Sequence, residues 1–290
     1  MTSNANPSRL ADFVALTKPG VTRMCLLTTL GGLALAPVPF DWVTATCAMG
    51  GTACAVGGAN AFNMWLERDA DARMSRTRRR PLPAGRLAPA AAVRFAWLLS
   101  VIAIVVLAIG TNLLTAALAA AAIASYVLVY TPLKYRTPLA LLIGAVPGAA
   151  PPLLGWTAAT GSIDAPALVL FGILLIWQLP HFLAIALYRQ DDYARAGIRI
   201  VPLVRGPAIA KIQAVAWSMV LLPISIMLVP LGVAGDTYLV CAVVIGTGFL
   251  AWSFTGLNDQ AGVRWARGFF FASLVYLPAL TLALVLDVAV

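Results

Sequence analysis

Residues 60–85 read NAFNMWLERDADARMSRTRRRPLPAG, and they close an apolar run that begins near residue 42. Asn63, Glu67 and Asp71 recur at every fourth position, so a helix continuing out of the apolar run stacks their oxygens along one face. Arginines follow at 73, 76, 78, 79 and 80. Acidic oxygens beside a basic cluster suit a magnesium-bridged phosphate better than either charge set alone.

Outside this window the chain is overwhelmingly apolar. Its 290 residues are 61% hydrophobic and 11% charged, with a mean hydropathy of +0.90. A soluble domain could not bury that much apolar surface, so the chain is read as a polytopic protein of the lipid bilayer. Crossing ~30 Å of hydrocarbon takes a helix of about 20 residues. Nine runs approach that length: 20–38, 42–64, 91–109, 112–130, 139–157, 166–187, 209–230, 237–256 and 268–287. The expectation is an all-α membrane protein of about nine transmembrane helices in one domain, 1–290. Residues 1–19 form a cytoplasmic lead-in without a secretory signal peptide, helical from Ser8 to Thr17.

Charge sets the orientation. If the spans alternate from a cytoplasmic N-terminus, all twenty Lys and Arg fall on or near one side, and the connections around 37–41, 110, 158–164 and 231–236 contain none. This positive-inside pattern places both motif-bearing loops in the cytoplasm and the C-terminus outside, in a bacterial-type inner membrane. The net charge of +9 is therefore topological and does not indicate nucleic acid. Cys25, Cys47, Cys54 and Cys241 sit singly in apolar spans and read as packing residues.

Along the chain, the third and fourth spans read as scaffold. The connection TPLKYRTP, 131–138, brings Lys134 and Arg136 to the charged face, where they anchor topology or clamp diphosphate oxygens. Pro147, Pro151 and Pro152 lie inside the fifth span, as suits a cavity wall. The sixth span ends in WQLPHFLAIALYRQDDYARAGIRIVPLV and holds the chain's one histidine, His181. An ionisable group at membrane depth is a functional candidate. The two charged loops follow the second and sixth spans, which suggests a parallel repeat that brings them together over a central cavity.

The run N-x-x-x-E-R-D-x-D-x-x-M-x-R-T-R-x-R-P-L from Asn63 to Leu82 resembles the first signature of the UbiA-type intramembrane prenyltransferases. Two further patterns are most similar to the heme O synthase branch of that superfamily: G-x-x-P-G-A-x-P-P-x-x-G-W from Gly144, and W-x-x-P-H-F with D-Y-x-x-A-G-I-x-x-x-P from Trp177 to Pro202. The resemblance implies that Asn63, Glu67 and Asp71 bind Mg²⁺ held by farnesyl diphosphate, with Asp192 and its neighbour Asp191 serving a second metal. Tyr188 stands where the superfamily's second motif begins with Asp, and Glu67 stands where many relatives have Asp. Arg76, Arg80, Lys134, Arg136 and Arg189 are the expected diphosphate-binding cations. Phe62, Trp65, Trp177 and Phe182 are available to face an allylic cation. The implied acceptor is heme b, with His181 ligating its iron or orienting it, and the product would pass to a heme A synthase or an oxidase assembly factor. A different aromatic acceptor and a transport role are the alternative readings.

Overall fold

The structure is a computed structural model that describes residues 9–288. The apolar runs become α2 (Pro19–Leu35), α3 (Trp42–Leu66), α5 (Pro89–Gly110), α6 (Leu113–Ala124), α8 (Ala140–Thr160), α9 (Ala165–Tyr188), α12 (Pro207–Ile226), α13 (Asp236–Thr255) and α14 (Val263–Val288). The shorter elements are α1 (Arg9–Leu16), α4 (Arg68–Arg73), α7 (Thr131–Leu133), α10 (Gln190–Ala196) and α11 (Val201–Val204). The helix expected from Ser8 to Thr17 is α1, and Ser8 itself lies outside the described residues.

Among the described residues, seven helical stretches are long and apolar enough to cross a bilayer by length and composition. Two of the nine expected spans fall short of that measure. The 17-residue α2 is slightly short, and the 25-residue α3 is diluted by Gly, Thr and Asn. The chain is an integral membrane protein. One span departs from regular geometry: α6 passes into a π-helical turn, Ser125–Tyr130, before α7. Such turns cluster at functional sites, and this one carries Tyr130 and Thr131 toward the charged loops.

In the connections that lack Lys and Arg, acids and amides cap helix N-termini. Asp41 accepts from Thr44 N at 2.8 Å, Asn112 from Thr115 N at 2.9 Å and Asp164 from Ala167 N at 3.2 Å, capping α3, α6 and α9. Their role is structural.

Helix α8 is the spine. It packs against α2, α3 and α6 on one side and α9 on the other, while α9 continues into α12 and α14. Small residues permit the closest of these approaches. A Cβ at Gly155 would overlap the Thr29 carbonyl, and one at Gly32 would overlap that of Pro152, so α2 and α8 touch backbone to backbone. Pro147 and Pro151 line a cavity of ≈ 100 Å³ with Val21, Cys25, Asn60 and Tyr126, between α2, α3, α6 and α8. The prolines of the fifth span therefore do shape a cavity wall.

Candidate active site

The helix carrying the first acids does not run on unbroken, as the sequence had implied. Helix α3 stops at Leu66, Glu67 turns at φ −98°, ψ 5°, and α4 begins at Arg68. The hydrogen-bond ladder nevertheless bridges the break, with Glu67 N to Asn63 O at 3.0 Å and Asp71 N to Glu67 O at 2.7 Å. Asn63, Glu67 and Asp71 thus keep one face, and they are 2%, 5% and 1% exposed. The second acidic segment repeats this device. Helix α9 stops at Tyr188, Arg189 turns at φ −120°, ψ 22° while donating to Ile185 O at 3.0 Å, and α10 carries Asp192.

The two segments meet. Asp192 Oδ1 accepts from Ser75 N at 3.2 Å and from Ser75 Oγ at 2.8 Å, four residues beyond Asp71. Beneath this contact Ala70 and Met74 pack with Ala196 and Ile198. Arg76 adds a second bridge, with Nη2 3.4 Å from Tyr193 Oη and the guanidinium 5.3 Å over its ring.

Each acidic group is matched by a cation. Arg80 Nη1 lies 2.7 Å from Asp71 Oδ2, Lys134 Nζ pairs with Glu67, and Asp192 is held by Arg195 and, at 3.7 Å, by Arg189. Lys18 Nζ donates to Asn63 Oδ1 at 2.9 Å, and Asn63 Nδ2 donates to Thr131 Oγ1 at 3.2 Å. Burial, then Arg80, pulls the Lys18 ammonium down to about 7, against the opposing pull of Asp71. Burial and the neighbouring Lys18 hold Lys134 well below its ordinary value. For Asp192 burial disfavours the charge, yet the Ser75 and Arg195 hydrogen bonds keep its carboxyl below the usual range. Lys134 has a carboxylate partner in Glu67, whereas the side-chain contact of Lys18 is to a neutral amide oxygen.

Lys18, Ser75, Thr131 and Arg195 were not picked out by the sequence as site residues. Lys18 left one signal: it immediately precedes Pro19 at the start of the first span. It is also the one non-glycine residue in left-handed backbone among the described residues, at φ 51°. Asn60 stabilises that turn by donating to Thr17 O at 3.2 Å. Two expected residues do not join the cluster. Asp191 and Arg136 are exposed; Asp191 adjoins the buried Asp192, and Arg136 lies two positions beyond Lys134.

The cluster suits a hard divalent cation. Asp71 Oδ1 is buried and accepts no hydrogen bond, and the neighbouring donors are all oxygens of Asn, Glu and Asp. Among the described residues, no three of the His, Cys, Asp and Glu side chains converge as a ready-made metal site. A cation here must therefore draw most of its ligands from phosphate and water, as Mg²⁺ does.

His181 lies on α9 seven residues before Tyr188, about 10 Å from it along the axis. Its ring contacts Trp177, Phe182 and Phe270. Phe270 also touches Tyr188 at 5.7 Å, and that ring lies beneath Arg189 and Arg267. A run of aromatic contacts thus links His181 to the charged loops. Phe62 and Trp65 behave differently. They line an open groove of ≈ 610 Å³ with Trp97 and Leu128, which are 61% and 72% exposed on the lipid side. At 100° per residue they stand off the Asn63 face.

A model of the UbiA prenyltransferase family matches residues 25–275. The chain is 49% identical to a protein named protoheme IX farnesyltransferase from Anaeromyxobacter sp. (strain Fw109-5), over 98% of this chain and 97% of that one. It is 46% identical to the protein of the same name from Myxococcus xanthus, over 97% and 96%. Among solved structures, a digeranylgeranylglyceryl phosphate synthase superposes with TM-score 0.81 at 15% identity, over 97% of this chain and 99% of that one. A UbiA homologue from Archaeoglobus fulgidus bound to GPP and Mg²⁺ superposes with TM-score 0.65 at 14% identity, over 94% and 99%.

Proposed function

This chain belongs to the UbiA prenyltransferase family, and from that premise we propose that it farnesylates heme b to give heme O. The C1–O bond of farnesyl diphosphate breaks, C1 bonds to a porphyrin vinyl carbon, and water supplies the hydroxyl and gives up a proton. Diphosphate leaves. The near full-length likeness to named protoheme IX farnesyltransferases supports the acceptor. The observation that carries the reaction type is the Ser75 to Asp192 contact, which makes one site of two acidic segments.

Ionising an allylic diphosphate concentrates negative charge on the leaving group, and positioned cations lower that barrier. Asn63, Glu67, Asp71 and Asp192 would hold Mg²⁺, which when bound would supply positive charge there. Lys18, Lys134 and Arg80 sit on the protein's own oxygens in the free protein and transfer to diphosphate oxygens when substrate enters. Arg76 and Arg189 flank the same entrance. The isoprenoid chain would enter the apolar cavity behind Asn60, walled by Val21, Ala55, Ile123 and Leu154, which must widen to take all of it. Dry walls protect an allylic cation from water. The face bearing both loops is cytoplasmic in an inner membrane, because the Lys and Arg residues gather there. The apolar product suits direct transfer to a heme A synthase or an oxidase assembly factor in the same bilayer.

The test is to incubate purified protein with heme b, farnesyl diphosphate and Mg²⁺ and to determine the mass of the porphyrin. A farnesylated, hydrated product that disappears with chelator and returns with Mg²⁺ is expected. Unaltered heme b alongside prenylation of a quinone precursor would replace this acceptor with another.

A further inference from the structure

Two apolar spaces lie on either side of α6. The inner cavity starts beside Asn60, one helical turn before Asn63, and measures ≈ 100 Å³. Pockets that enclose a drug-sized ligand run to roughly 300–1,000 Å³, so a chain of three isoprene units overfills it. The outer groove measures ≈ 610 Å³ and follows α5 from Val93 to Val105, between α3 and α6. At 1.5 Å per residue that is a trough about 18 Å long. No charged side chain lines it, and its one hydroxyl, Ser100 Oγ, donates to Ala96 O at 2.8 Å. Such a surface takes hydrocarbon.

Among the described residues only Ile123 lines both spaces. The sequence makes the partition thin. Helix α6 turns Ala119 and Ala122 to the cavity and Ala120 and Ala124 to the groove, and none of these reaches beyond its Cβ. Ile123 is left to close the space. It is half-buried, at the edge of two apolar clusters, one around Phe62 and Val127 and the other around Ala55 and Leu154. Its position fixes the order of the spaces along a ligand. A chain anchored at the Asn63 end meets the cavity first, then Ile123, then the groove.

We propose that the farnesyl chain outgrows the inner cavity, passes Ile123 and lays its distal end in the groove between α3, α5 and α6, so that Ile123 sets which chain lengths bind. This rests on the prenyl diphosphate substrate proposed above and on no particular acceptor.

The test uses full-length protein in nanodiscs with Mg²⁺ and measures by calorimetry the affinities for dimethylallyl, farnesyl and geranylgeranyl diphosphates. Ratios between donors in one preparation cancel any loss of folded protein. Ile123→Trp should weaken farnesyl relative to dimethylallyl diphosphate about tenfold or more, since a misfit of one methylene in an apolar pocket already costs that much. Val101→Trp, which fills the groove from α5 without touching the cavity lining, should lower the same ratio. Ile123→Ala should raise geranylgeranyl relative to farnesyl diphosphate several-fold. A farnesyl diphosphate with a photoreactive group at its distal end should label α5 between Trp97 and Val105 in the wild type. An unchanged ratio in either Trp variant, or labelling confined to α2 and α8, overturns the assignment and leaves the groove to bilayer lipid. Farnesyl diphosphate would still bind in that case, and the proposed function would stand. A wild type that binds none of the three diphosphates overturns both.

Discussion

Asp71 has two oxygens in unlike surroundings: Arg80 holds Oδ2, while Oδ1 is buried and accepts nothing. An orphaned carboxylate oxygen costs roughly 1–3 kcal/mol or more, so its persistence fits a role that substrate binding completes. Asp71→Asn preserves shape and removes the charge. We expect kcat to fall by about 10²–10³, the scale for losing one group that stabilises a transition state, with the melting profile in detergent largely retained. Near-normal turnover would take Asp71 out of the machinery. Lys18→Met should weaken farnesyl diphosphate binding about tenfold, one charge-assisted hydrogen bond's worth. Calorimetry reads this directly, and a wild-type dissociation constant would leave Lys18 a structural role only. The sequence grouped Asp71 with Asp192 because charge is confined to so few loops, and the structure joins the segments that carry them through Ser75. The sequence could not separate Asp192 from Asp191 on physical grounds, since only the helical phase of α10 turns one inward and leaves the other in solvent.

At the level of elements, a long helix, a one-residue break and a short helix recur as α3–α4 and α9–α10. The break lets a membrane-normal helix turn its last oxygens over the cavity while each break residue's N–H still finds a carbonyl four residues back. Ser75 joins the two units, so Ser75→Ala should raise KM for farnesyl diphosphate several-fold while leaving heme b affinity near wild type. Equal KM values would mean that apolar packing alone aligns α4 and α10. The α2–α8 contact is the second sensitive element. Gly155→Val forces backbones apart where a Cβ already overlaps a carbonyl, and overpacking of this kind costs about 1–3 kcal/mol. A lowered melting temperature is expected, and an unchanged one would deny the close approach. Phe62 and Trp65 show where reading by elements goes astray. An aromatic near an acid in sequence can line a groove on another face of the helix, because adjacent helical positions differ by 100°.

For the whole molecule, the topology proposed above puts the loops rich in Lys and Arg on one side of the membrane and the helix-capping acids on the other. In a background where all four cysteines are replaced, a cysteine at Arg78 should react with an impermeant maleimide only from the cytoplasm, and one at Ser162 only from the opposite side. Labelling of both from one side would overturn the topology. By itself the sequence determined the class, the approximate spans and the confinement of Lys and Arg to few loops. These follow from local composition, because hydrocarbon tolerates few charges and demands long apolar helices. Only the tertiary structure brought Lys18 to Asn63, 45 residues away, Ser273 to His181, 92 away, and Ser75 to Asp192, 117 away. Such pairings depend on how each helix is rotated and against which neighbour it packs, and hydropathy along one chain carries no record of either.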